Sequence, residues 1–145
     1  MQIISVINQK GGVGKTTTVI NLAAGLTQLN KKILVIDLDP QGNATTGLGL
    51  SNVDNSSDTI YGVLNGTKQI NEIIKKTKFE NLDIITSNVD LSGLEVETAD
   101  DSNRAFILKA KLTAYLNNSG GLYDYVLIDC PPSLSLLTVM ALVCS

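Results

Sequence analysis

The stretch "QIISVINQKGGVGKTTTVINLAAGL", Gln2 to Leu26, constrains this chain more than any other. It opens with a short β-branched apolar run that reads as a buried strand. It closes with Val19, Leu22, Ala23 and Leu26, whose spacing at i, i+3, i+4 and i+7 predicts a helix from Thr16 to Leu29 with one core-facing stripe. Between the two, Gly11, Gly12 and Gly14 let the backbone turn sharply and bring N–H groups close to an anion. The predicted helix points its partly positive N-terminus at the same place. Lys15 is spaced to reach the β- and γ-phosphates of a nucleotide, and the Thr16 hydroxyl is a hard oxygen suited to Mg²⁺. The loop Gly11, Gly12, Val13 and Gly14, with Lys15, Thr16 and Thr17, is therefore the expected phosphate site.

Further along, Lys32 to Leu38 reads as a second buried strand, which completes a βαβ unit. Asp39 to Ser57 is rich in Gly, Asn, Ser and Thr and reads as a long loop. Two short helices, "TIYGVLN" and "QINEIIKKT", are predicted after it. Leu82 to Thr86 is a third strand and Tyr125 to Asp129 a fourth. Ala105, Leu108, Leu112 and Tyr115 place a helix on "NRAFILKAKLTAYLNN", ended by "SGG", and Leu134 onward reads as helical. Alternating apolar strands and helices predict an α/β fold: a doubly wound, mostly parallel sheet with helices on both faces. Such sheets bind ligands at the carboxyl ends of their strands, here after Asn8, Leu38 and Ile128.

Composition narrows the chemistry. A length of 145 residues suits one domain, here 1–145. The formal net charge of -3 gives no global attraction to nucleic acid or anionic lipid. The basic clusters "IIKKTK" and "ILKAK" read as solvated helix faces. The absence of histidine excludes imidazole metal ligands and Ser-His-Asp or Cys-His catalysis. Cys130 and Cys144 follow no metal spacing and read as small apolar residues in a reducing compartment. No basic segment precedes a long apolar run at the N-terminus, and the stretch near Leu134 to Cys144 is interrupted by Ser135 and Thr138. The expectation is a cytoplasmic chain with no membrane association.

The glycine loop departs from the usual G-x-x-x-x-G-K-[ST] pattern, because position 9 is Gln9. "KGGVGKTT" instead resembles the deviant Walker A box of the ParA/MinD family of P-loop ATPases. The resemblance implies ATP and Mg²⁺ as cofactors. It also implies a role for Lys10, which in that family crosses a nucleotide-sandwich homodimer to the phosphates held by the partner. A cation so placed stabilises charge on transferring phosphate. "VIDLDPQGN" resembles the family's switch segment, which implies that Asp39 sits near the attacking water. Asp37 stays open between the metal shell and the hydrogen bonds of the loop. "YVLIDCPP" resembles the Walker B segment, which implies that Asp129 reaches the Mg²⁺ site, usually through a metal-bound water. Pro131 and Pro132 fix the chain where it leaves that strand. Iron–sulfur members need paired cysteines, and only Cys130 is near, so that reading is rejected.

The run "DPQGNATTGLG" resembles the partitioning branch, ParA or Soj-like, rather than MinD. That branch implies a switch in DNA segregation, with non-specific DNA and a centromere-binding, ParB-like protein as partners and nucleoid association. Family domains are longer, so the fold is expected to be incomplete at the C-terminus, with the last parallel strand presenting an uncovered edge. A nucleotide-binding fragment without turnover, or a MinD-like ATPase, are the alternatives.

Overall fold

The computed structural model describes residues 1–51 and 55–145. Among them, five strands form one sheet: β1 (Gln2–Val6), β2 (Ile33–Asp37), β3 (Ile74–Lys76), β4 (Leu82–Ile85) and β5 (Tyr125–Asp129). The described helices are α1 (Lys15–Gln28), α2 (Asn43–Gly47), α3 (Ile60–Leu64), α4 (Ile70–Ile73), α5 (Leu94–Glu97), α6 (Ile107–Asn118) and α7 (Leu136–Cys144). The strand order is β1-β5-β2-β4-β3. All neighbouring pairs are parallel except β3 with β4.

Alternation along each strand sorts the core onto two faces. Ile33 and Val35 of β2, with Ile84 and Leu127, pack against Val19 and Ala23 of α1 and against Leu48 just after α2. Leu34 and Ile36, with Val126 and Ile128, meet Leu108 and Leu112 of α6 and Met140 and Ala141 of α7 on the other face. Every residue of β2 is buried, as a continuous apolar run in a doubly covered sheet requires. The mostly parallel α/β sheet expected from the sequence is therefore what forms.

Five local expectations change. β1 is only partly buried, because it pairs with β5 alone and lies at the sheet edge. The last parallel strand, β5, has no uncovered edge: it lies between β1 and β2, so the open side belongs to β1. "QINEIIKKT" does not continue as a helix. After α4 the chain extends into β3, where Ile74, Lys75 and Lys76 pair with Ile85, Ile84 and Asp83. The cluster "IIKKTK" thus lies mainly on an edge strand rather than a helix face, and edge lysines discourage further strand pairing. The loop expected over Asp39 to Ser57 contains α2 and a 3₁₀ turn at Ser56–Asp58, and its residues 52–54 lie outside the described residues. No described helix is long and apolar enough to cross a membrane.

Candidate functional site

The order of the sheet brings three strand ends side by side. Val6 of β1 and Asp37 of β2 both align with Asp129 of β5. The glycine loop leaves β1, the switch segment leaves β2, and "CPP" leaves β5 at this one edge.

The glycine loop begins with a local turn: the Lys10 N–H donates to Asn8 Oδ1 at 2.9 Å. Sequence reasoning gave Asn8 no role, although Asn ahead of glycines is a turn signal. Gly12 and Gly14 have φ of +71° and +86°, and a Cβ at either would meet open space. Glycine is therefore needed there for the backbone conformation and not for packing. Gly14 sits in the left-handed region as the N-cap of α1, with no side chain capping the helix. Its carbonyl accepts from the Thr18 amide and hydroxyl, both at 2.8 Å. Lys10, Gly11, Gly12, Val13, Gly14 and Thr17 are exposed, while Lys15 and Thr16 are half-buried. The ion pairs of the described residues involve only Lys68 and Lys76 among the cations, so Lys10 and Lys15 have no carboxylate partner among these residues.

Thr16 faces the end of β5, where its Oγ1 donates to Asp129 Oδ2 at 2.7 Å. Asp129 is 1% exposed, and its Oδ1 is buried without a hydrogen-bond partner. Burial pushes the Asp129 carboxyl above the usual range, the Thr16 bond opposes this, the Asp39 charge adds to it, and the Lys15 ammonium opposes it. An orphaned buried carboxylate oxygen beside a hydroxyl, within the field of the Lys15 ammonium, is unfinished as pure architecture. The two hard oxygen donors, Thr16 Oγ1 and Asp129, fit a hydrated Mg²⁺. No group of three or more His, Cys, Asp or Glu among the described residues could hold a metal. A cation here would draw the rest of its shell from phosphate and water.

Asp37 and Asp39 are brought together by the turn that follows β2. Asp39 Oδ1 accepts from the Gln41 N–H at 2.9 Å. Asp37 accepts from the Asp39 N–H at 3.1 Å and from the Thr45 N–H and hydroxyl at 2.8 and 2.7 Å. Of the two places left open for Asp37, this structure shows it among the hydrogen bonds of the loop. Burial pushes its carboxyl up to about 7 despite these donors, with the Asp129 charge contributing. Thr45 was missed in the sequence, where nothing distinguishes it from the threonine beside it. Cys130 is buried, and burial holds its thiol up at about 12, so it is an inert apolar neighbour of Asp129.

A glycine loop leading into a helix, set beside an apolar strand that ends in a carboxylate, defines a P-loop NTPase-type domain. The family model described as "AAA domain" (AAA_31) matches residues 1–145, and the chain belongs to that family. It is 47% identical over 144 residues to the sporulation initiation inhibitor protein Soj of Bacillus subtilis, covering 99% of this chain and 55% of that one. It is 45% identical over 142 residues to the chromosome partitioning protein ParA of Caulobacter vibrioides, covering 98% and 52%. Its fold matches the crystal structure of cobyrinic acid a,c-diamide synthase from Mycobacterium smegmatis with bound ATP analog and magnesium. That match has a TM-score of 0.91 at 36% identity and covers 100% of this chain and 57% of the other. The resemblance to ParA/Soj-like ATPases read from the motifs is thereby borne out. The chain spans about half the length of the curated relatives it matches.

Proposed function

We propose that residues 1–145 are the N-terminal, nucleotide-binding part of an ATP- and Mg²⁺-dependent partitioning ATPase, forming a single domain. The observation that carries this reading is the contact between Thr16 and Asp129 below the glycine loop, with Asp129 Oδ1 left without a partner. In this reading the backbone N–H groups of Gly11, Gly12, Val13 and Gly14 cradle the phosphates, and Lys15, Thr16 and Thr17 close around them. Thr16 would hold Mg²⁺ directly and Asp129 through a bound water. When bound, Mg²⁺ would neutralise charge on the β- and γ-phosphate oxygens.

Asp39 orients the attacking water. The water oxygen bonds to the γ-phosphorus as the bond to the bridging oxygen of ADP breaks, and the water proton leaves to Asp39 or to the phosphate itself. A loose phosphoryl-transfer transition state needs positioning more than a strong base, which suits an aspartate held by its own turn. Lys10, exposed and without a carboxylate partner among the described residues, is available to a second protomer across an ATP-sandwich dimer. Since ADP lacks the γ-phosphate, that dimer would be conditional on ATP and could act as the switch in chromosome or plasmid segregation. Non-specific DNA, a ParB-like stimulating protein and a cytoplasmic, nucleoid-associated setting complete the proposal, from similarity to Soj and ParA.

Titration calorimetry of the 145-residue chain with ATP tests the core of the reading. Binding is expected with Mg²⁺ and should weaken about tenfold or more when EDTA removes it. Absence of ATP binding in Mg²⁺ would overturn the proposal. Light scattering should show ATP-dependent dimers that Lys10→Ala abolishes.

A further inference from the structure

The end of β2 carries a buried hydrogen-bond chain that the proposed chemistry does not use directly. Asp37 closes the strand, and Asp39, which would orient water, stands two residues on. Asp37 Oδ1 fixes the Asp39 N–H, at 3.1 Å. Asp37 Oδ2 takes both the N–H and the hydroxyl of Thr45, at 2.8 and 2.7 Å. The Thr45 hydroxyl has spent its single proton on Asp37, so it can only accept from the Ser87 N–H, 3.1 Å away. Ser87 lies two residues beyond β4. Asp37 is 0% exposed, Thr45 4% and Ser87 3%.

Four residues thus form one path from the end of β4 to the backbone of Asp39. Water does not compete for these bonds, so each is held in a low-dielectric setting where its direction is well defined. α2 has no side-chain cap of its own; the Asp37 carboxylate accepts the Thr45 amide in its first turn instead. Thr45 is the joint of the path: its amide and hydroxyl serve Asp37, while its oxygen serves Ser87.

We infer that Thr45 is a positioning residue for Asp39, holding it through Asp37 and anchoring the turn after β2 to the end of β4. This rests on the proposed role of Asp39 in ATP hydrolysis. Thr45 is buried, with its amide and hydroxyl taken up by Asp37 and Ser87, so its action on the site is indirect. Its effect is on the angle at which Asp39 presents its carboxylate, and positioning errors of this kind act on turnover rather than on binding.

The test uses the full chain with Thr45→Val, which keeps the β-branched shape and removes the hydroxyl, and Thr45→Ser, which keeps the hydroxyl. Three quantities are read: affinity for a fluorescent N-methylanthraniloyl-ATP, kcat and KM for ATP, and NMR amide exchange. Thr45→Val is expected to lower kcat about tenfold or more while KM and nucleotide affinity stay within about twofold. Exchange at the Asp39 and Ser87 amides should rise about tenfold, with the amides of residues 11–17 unchanged. Thr45→Ser should stay within about twofold of the parent in every readout. Unchanged turnover or unchanged exchange in Thr45→Val, a parallel loss of nucleotide affinity, or failure of Thr45→Ser to restore kcat would each overturn the inference. A parent chain that binds no nucleotide removes the functional reading and this role together. Intact binding with unaltered Asp39 exchange in Thr45→Val removes the role alone.

Discussion

Two buried aspartates stand toward opposite ends of the same sheet. Asp83, near the start of β4, is 6% exposed and held by two partners from the fold: the Tyr123 hydroxyl donates to Oδ2 at 2.7 Å and Lys76 Nζ lies 2.9 Å from the same oxygen. Burial and the bond to Asp83 push the Tyr123 phenol well above its ordinary range, so it stays a donor. Asp129, at the end of β5, has one hydroxyl partner and one oxygen with none. The difference separates architecture from chemistry. A buried charge whose partners all come from the fold stabilises the fold, and one left incomplete is shaped for something that arrives later.

Variants at the two ends should break in different ways. The largest effect is expected at the incomplete end: Lys15→Ala should weaken ATP binding by about a hundredfold or more in calorimetry. Its urea stability should stay within about 0.5 kcal/mol, because Lys15 forms no ion pair among the described residues and acts on Asp129 only at longer range. Asp39→Ala should retain ATP binding and ATP-dependent dimers but lose turnover by about a hundredfold in a phosphate-release assay. Parent-like hydrolysis in that variant would remove Asp39 from the site.

At the complete end the order reverses. Asp83→Asn should cost about 2 kcal/mol in urea unfolding, because it weakens the acceptor for Tyr123 and Lys76, and should leave ATP affinity unchanged. Asp37, back at the end that carries Asp129, adds a pH signature. Its carboxyl rises from 3.8 to about 7 on folding, so between these values the folded chain holds a proton that the unfolded chain lacks. Its contribution to stability is fullest below pH 3.8 and is lost as pH rises to about 7. Urea melts across that window should show this component in the parent and not in Asp37→Asn. Smallest of all, Lys76→Ala should change stability by no more than about 0.5 kcal/mol, because its side chain is 85% exposed and the pair is screened by solvent.

The readable parts of the fold were those whose signal is local. "YVLID" is an uninterrupted apolar run and forms β5 over Tyr125–Asp129, as expected. The stripe of Val19 and Ala23 gave α1, whose start differs from the expectation by a single residue. The parts that were not readable depend on distant partners. "NATTG" has no apolar stripe, and its helix is held from outside by Asp37. "IKK" continues a helical-looking segment, yet it pairs with β4 and sets Lys76 beside Asp83. Thr45 and Ser87 are ordinary loop-type residues until the sheet places them 3.1 Å apart.

The sequence alone determined the alternation of strands and helices, the phosphate loop and the carboxylates at the strand ends. These follow from side-chain periodicity, from glycine's access to positive φ and from the spacing of charged groups along the chain. Tertiary structure alone decided that β5 enters between β1 and β2, so that Asp129 meets Thr16, and that the turn after β2 is tied to β4 through Thr45. Those contacts join residues 113 and 42 positions apart. Local conformational preference carries no information over such separations; packing of the two core faces does.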